Sequence, residues 1–154
     1  MILHVKLLQP LLLLFLLFGG CSKKPDLISD LQREQKFQEM MSGVALVGRS
    51  TRLNREGLSG EERYLIDKVS KLTGDTWLFQ TRLKYHEREI PVPIPLMVLW
   101  AGDTPVITLT DLTIPGVGTY TARVILYRDQ YAGTWSGKNA GGQLFGKIVR
   151  QSQK

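Results

Sequence analysis

The sequence predicts an all-β fold, an antiparallel up-and-down barrel of about eight strands, with a two-sheet sandwich as the alternative. Three observations carry this. From about Met41 onward the chain is a succession of short runs rich in Val, Ile, Thr, Tyr, Phe and Trp, broken by Gly, Pro, Asn and Asp. Two of those runs alternate apolar and polar residues: Trp77, Phe79, Leu83 and Tyr85 against Gln80, Arg82 and Lys84, and Tyr120, Ala122, Val124 and Leu126 against Thr121 and Arg123. The connections are short and nearly evenly spaced, which favours antiparallel neighbours, and closing such a set into a barrel leaves no exposed edge.

Ahead of that domain, Lys6 precedes the apolar stretch from Leu7 to Phe18, interrupted by Gln9 and Pro10 and ending in Gly19-Gly20-Cys21. A charge, an apolar core and a small-residue cleavage site make residues 1–20 an export signal. The uninterrupted run from Leu11 to Phe18 is far shorter than the roughly 20 apolar residues that span a bilayer as a helix. Leu17-Phe18-Gly19-Gly20-Cys21 resembles the lipobox of bacterial lipoproteins, with Phe18 where Leu is usual. The resemblance implies that Cys21 carries a diacylglycerol thioether and an acylated amine, anchoring the protein to a membrane. Ser22 in place of Asp implies the periplasmic face of the outer membrane. On the alternative reading Cys21 is an incidental free thiol after an ordinary signal peptide, a liability in an oxidising compartment.

The 134 residues after position 20 suffice for one domain with its own core. Loss of Lys6 lowers the formal charge from +6 to +5, and the remaining charge is scattered. Its densest cluster, Arg49, Arg52 and Arg55, reads as the decoration of an exposed strand and turn, and nothing points to nucleic acid. Residues 21–40 are polar and charged apart from a few apolar positions and read as a lipidated tether with a helical turn or two, leaving 41–154 as the barrel domain.

Within that domain the runs fall at about 42–52, 62–70, 75–85, 92–100, 104–112, 118–128, 130–136 and 142–150. Turn signals separate several of them, among them Gly74-Asp75, Ala101-Gly102-Asp103, Pro115-Gly116-Val117-Gly118 and Lys138 to Gly142. The segment 61–72 also admits a helix, since Ser59-Gly60-Glu61-Glu62 fits a capping box and Leu65, Val69 and Leu72 share one helical face. A strand leading through Gly74-Asp75 into Trp77 is the preferred reading. Ile90-Pro91-Val92-Pro93-Ile94-Pro95 lacks three backbone donors and must be an edge, a bulge or a polyproline-like approach.

Gly133-Thr134-Trp135, on the seventh predicted strand, and Gly141-Gly142-Gln143-Leu144-Phe145-Gly146 after it resemble the Gly-x-Trp strands of calycin barrels, the lipocalins and avidins. Residues 64–150 are similar to a group of uncharacterised exported bacterial proteins that share Trp100-Ala101-Gly102-Asp103-Thr104-Pro105 and the Gly133-Thr134-Trp135 hairpin. No activity comes with that resemblance. Where some members carry histidines in the last hairpin, this chain has Gly137, Ala140 and Gln143, so no metal site is implied.

The chemistry is sparse. After the signal, His86 is the one histidine, in the charged turn Tyr85-His86-Glu87-Arg88-Glu89, and no nucleophile motif accompanies it. Zinc-ligand spacing is absent and no cofactor is implied. Carboxylate chemistry would need at least two of Glu87, Glu89, Asp103 and Asp111 to converge. Trp77, Trp100 and Trp135 are the candidate ligand-lining residues, with core packing as the alternative, because a barrel of about eight strands either fills with side chains or holds one small ligand. The expectation is therefore a lipid-anchored, non-enzymatic module for a small apolar ligand. The alternatives are a structural envelope protein docking on another protein or the cell wall, and a carboxylate-dependent hydrolase.

Overall fold

Alternation along each run gives a wall with one apolar and one wet face, and the wall closes on itself. The computed structural model describes residues 27–85, 88–114 and 118–152. One helix, α1 (Leu27–Met41), precedes β1 (Val44–Arg52), β2 (Arg55–Leu58), β3 (Glu62–Thr73), β4 (Thr76–Tyr85), β5 (Arg88–Ala101), β6 (Thr104–Ile114), β7 (Gly118–Tyr127), β8 (Gln130–Gly137) and β9 (Gly141–Arg150). The strands run antiparallel in the order β1-β3-β4-β5-β6-β7-β8-β9, and β9 pairs back onto β1 from Val44↔Arg150 to Ser50↔Leu144. The result is a closed eight-stranded barrel, not a sandwich. The short β2 stands outside the ring, paired to the last residues of β1.

Residues 62–73 form a strand, as the alternation of Tyr64 and Ile66 requires, and the capping-box helix does not form. The proline segment is also strand: β5 pairs with β4 continuously from Arg88↔Tyr85 to Met97↔Thr76.

The segment read as a tether holds a four-turn helix instead, and the helix is part of the domain. Phe37 and Met41, one turn apart, are buried at 2% and 0% exposure. Beside them Arg33 lies flat on Trp100, its guanidinium 4.4 Å from the ring centroid, and Glu34 meets Lys71 of β3. The buried face thus includes two charged residues, which hides the amphipathic pattern. Ser42 ends the helix by returning both its backbone N–H and its hydroxyl to the Gln38 carbonyl, at 3.1 and 2.7 Å, and Gly43 then turns the chain at φ +67°. From the end of β9, the Arg150 guanidinium donates to the carbonyls of Ser42 and Glu39 at 2.7 and 3.0 Å, placing a cation where the helix presents unpaired acceptors.

The helix crosses one end of the barrel, called here the helix end, with the turns at 74–75, 102–103 and 128–129. The connections at 53–54, 59–61 and 138–140 lie at the far end. Below the helix the core is dense: Val44, Ile66, Val69, Trp77, Phe79, Val98, Ile107 and Leu126 are nearly inaccessible, and Tyr131 is 3% exposed.

Candidate functional site: the open half of the barrel

Among the described residues, the inner face becomes more accessible toward the far end. Along the inner face of β5, Val98 is fully buried, Leu96, Ile94 and Val92 are half-buried, and Ile90 is 45% exposed. The same gradient runs along β3, from Ile66 to Tyr64 at 42% exposure, although Tyr64 pairs with Leu46 and shares its inward face. Along β7 it runs from Leu126 and Val124 to the half-buried Tyr120. Among the described residues, apolar side chains that face inward and still reach solvent outline a cup in the far half of the barrel.

One side of the cup is apolar, lined by Val92, Ile94 and Leu96 of β5 with Leu109, Leu112 and Ile114 of β6. The other side is polar and centres on Glu62, the first residue of β3. Its carboxylate accepts from the Ser50 hydroxyl at 2.7 Å and the Tyr64 hydroxyl at 2.6 Å. Ser59 braces this knot by accepting the Ser50 backbone N–H at 2.8 Å. Burial raises the Glu62 carboxyl, but hydrogen bonds from Tyr64, Ser50 and Ser59 and the nearby Arg52 charge outweigh it and hold the group below its ordinary 4.5. Burial, together with the hydrogen bond given to Glu62, pushes the Tyr64 hydroxyl well above 10.0, and burial with the Glu62 charge pushes Tyr131 up to about 12.

A depressed carboxyl adds stability that is fully present above pH 4.5 and is lost as pH falls through the folded-state value. Glu62→Gln is therefore expected to be less stable than wild type at neutral pH, with the gap narrowing as pH drops below 4.5. Urea midpoints measured across that range test this, and a gap independent of pH would sink the assignment.

The three tryptophans do not share one site. Trp77 is 1% exposed beneath the helix and meets Phe37 edge-to-face at 4.9 Å, and half-buried Trp100 lies beside Phe37 under Arg33. Trp135 stands at the other end of the barrel, in line with Ala122 and Gly142, tilted toward Tyr120 at 6.5 Å with the Arg52 guanidinium 6.0 Å from its ring. Its indole N–H is enclosed without a partner among the described residues, and a recess of about 290 Å³ beside it includes Leu53, Thr134 and Gln143.

Among the described residues the carboxylates Glu89, Asp103 and Asp111 do not converge. Asp103 sits at the helix end, whereas Glu89 of β5 is paired with Arg82 at 2.6 Å and Asp111 lies in a bulge of β6. Cys21, His86 and Glu87 lie outside the described residues. Among the described residues no cluster of His, Cys, Asp or Glu could hold a metal ion, and no helix is long and apolar enough to cross a membrane. No family model, curated protein or solved structure gives a significant match to this chain.

Sequence reading missed Glu62, taken there as part of a capping box. The signal was present, because Glu62 falls in phase with Tyr64 and Ile66 once 62–70 is a strand.

The barrel wall is also incomplete along one seam. β5 and β6 pair only from Met97↔Thr108 to Ala101↔Thr104, so Arg88–Leu96 on one side and Leu109–Ile114 on the other have no partner across that seam. Next to it, Asp111 adopts φ +49°, its N–H donating to the Thr121 hydroxyl at 3.0 Å while that hydroxyl donates to Oδ1 at 3.1 Å.

Proposed function

We propose that the protein is an exported, lipid-anchored binding module that holds a small, largely apolar molecule in the far half of its barrel. The observation that supports this most directly is the inner face of β5, where Ile90, Val92 and Ile94 point inward yet stay accessible. Opposite them, Glu62, Tyr64, Arg52 and Trp135 offer a few fixed polar groups, the combination by which a concave apolar site orients a ligand. Catalysis is not needed to account for any of these residues. The export signal and Cys21 supply the anchor, at the periplasmic face of the outer membrane. With six residues from Cys21 to Asp26, each spanning at most about 3.5 Å, the start of α1 stays near the bilayer.

Titration with N-phenyl-1-naphthylamine, whose emission rises in apolar surroundings, tests the reading. One saturable site is expected, with at least tenfold weaker binding to Ile94→Glu. Unchanged probe emission in the folded wild-type protein would overturn it.

An outward row, Leu99, Val106, Ile125, Ala132 and Phe145, aligned in register across five strands, favours a second reading, docking on another envelope protein. Three of its members, Leu99, Ile125 and Phe145, are more than 40% exposed. Capture of the protein with a defined envelope partner, lost on Ile125→Glu, would support it.

A further inference from the structure

The prolines explain why the seam stays open. In an antiparallel ladder, residues of one parity direct both N–H and C=O to one neighbour, and residues of the other parity serve the opposite neighbour. Because β5 is continuously paired with β4, and Pro91, Pro93 and Pro95 cannot donate, the ladder to β4 must run through the even-numbered residues. The three prolines therefore face β6, and that edge carries carbonyls without matching donors. Pairing with β6 begins at Met97, the first residue of the same parity beyond the prolines to possess an N–H. The opposing lip is deflected by the bulge between Leu109 and Leu112, where Asp111 is held in the left-handed region by Thr121. Prolines and bulges are what keep an edge from recruiting another strand, so both lips are built to stay apart.

The residues facing inward beside the seam are Ile90, Val92 and Ile94 on one lip and Leu109, Leu112 and Ile114 on the other. The unpaired stretch is thus bordered on both sides by inward-facing apolar residues of the cup. We propose that the parted β5–β6 seam is an exit for the tail of a linear hydrocarbon chain bound in the cup, so that the site takes unbranched alkyl chains of variable length. This rests on the binding function proposed above and names its ligand class. The polar group of such a ligand lies toward Glu62, Tyr64 and Arg52, while its chain runs across Val92 and Ile94 and leaves between the lips.

The two geometries differ in their response to chain length. A closed cup favours one length and rejects longer chains, whereas an open seam lets surplus methylenes pass outside. The test uses the chain from residue 21 onward with Cys21→Ser, so that neither anchor nor detergent competes, and a series of saturated n-alkanols displacing N-phenyl-1-naphthylamine. Affinity is expected to rise roughly fourfold per added CH₂ while the chain fills the cup, then to level off without falling. Pro91→Thr, Pro93→Val and Pro95→Val together restore the missing donors. In that variant the ratio of long-chain to short-chain affinity is expected to fall at least tenfold.

If the probe does not bind at all, the binding function fails and this inference with it. If the probe binds but wild-type affinity drops beyond a fixed length, the cup stands and the seam is refuted. A plateau that survives in the triple variant likewise refutes it.

Discussion

Phe37→Ala is expected to cost about 3–5 kcal/mol of stability, the range for removing a buried aromatic ring. The ring is 2% exposed and meets Trp77, Phe79 and Trp100 edge-to-face at centroid distances of 4.9, 6.3 and 5.7 Å. It is the plug by which the helix seals its end of the barrel. The urea midpoint should fall with little change in slope, and tryptophan emission should shift to the red as water reaches Trp77. A loss within about 0.5 kcal/mol, the scale of an ordinary surface substitution, would mean that the helix merely lies over a barrel already closed beneath it.

Gly48→Ala and Gly146→Ala are expected to fall in the rare class of substitutions costing more than about 4 kcal/mol, or to prevent folding. The two glycines face each other where β1 meets β9. A Cβ on Gly48 would stand 2.0 Å from the Phe145 carbonyl oxygen and 2.5 Å from the Tyr131 hydroxyl. On Gly146 it would stand 2.2 Å from the Val47 carbonyl oxygen and 2.8 Å from the Tyr131 ring. The obstruction is largely backbone, so relief requires the strands that close the ring to separate. Gly60→Ala is the control, since a Cβ there meets nothing within 4 Å, and its stability should stay within about 0.5 kcal/mol of wild type. Equal, small effects at all three positions would show that the β1–β9 junction is looser than these distances imply.

Both predictions concern features whose sequence signals were weak. Phe37, Met40 and Met41 are the apolar residues that pack on the core from a helix that also turns Arg33 and Glu34, charged residues that read as solvated, toward the barrel. Their burial depends on partners, Trp100 and Lys71, that lie far along the chain. Nothing local sets Gly48 and Gly146 opposite each other; the closure of the ring does. The Pro91-Val92-Pro93-Ile94-Pro95 segment was more legible: three prolines at a period of two strip one strand edge of its donors whatever the fold, and the edge they disarm is the one left unpaired.

What the sequence by itself determined is local. Period-two alternation, turn residues and short connections are properties of neighbouring residues, and they sufficed for the strand content and for antiparallel neighbours, with a barrel preferred over a sandwich. Tertiary structure alone decided which residues face a common space. It paired β1 with β9 across the length of the domain, separated Trp77 and Trp100 from Trp135, and converted a polar segment into a plug. It also set Glu62 against Ser50 and Tyr64 at the polar side of the cup. A side chain's face is fixed by its own strand, but the partner it meets there depends on how the wall closes, which no local pattern encodes.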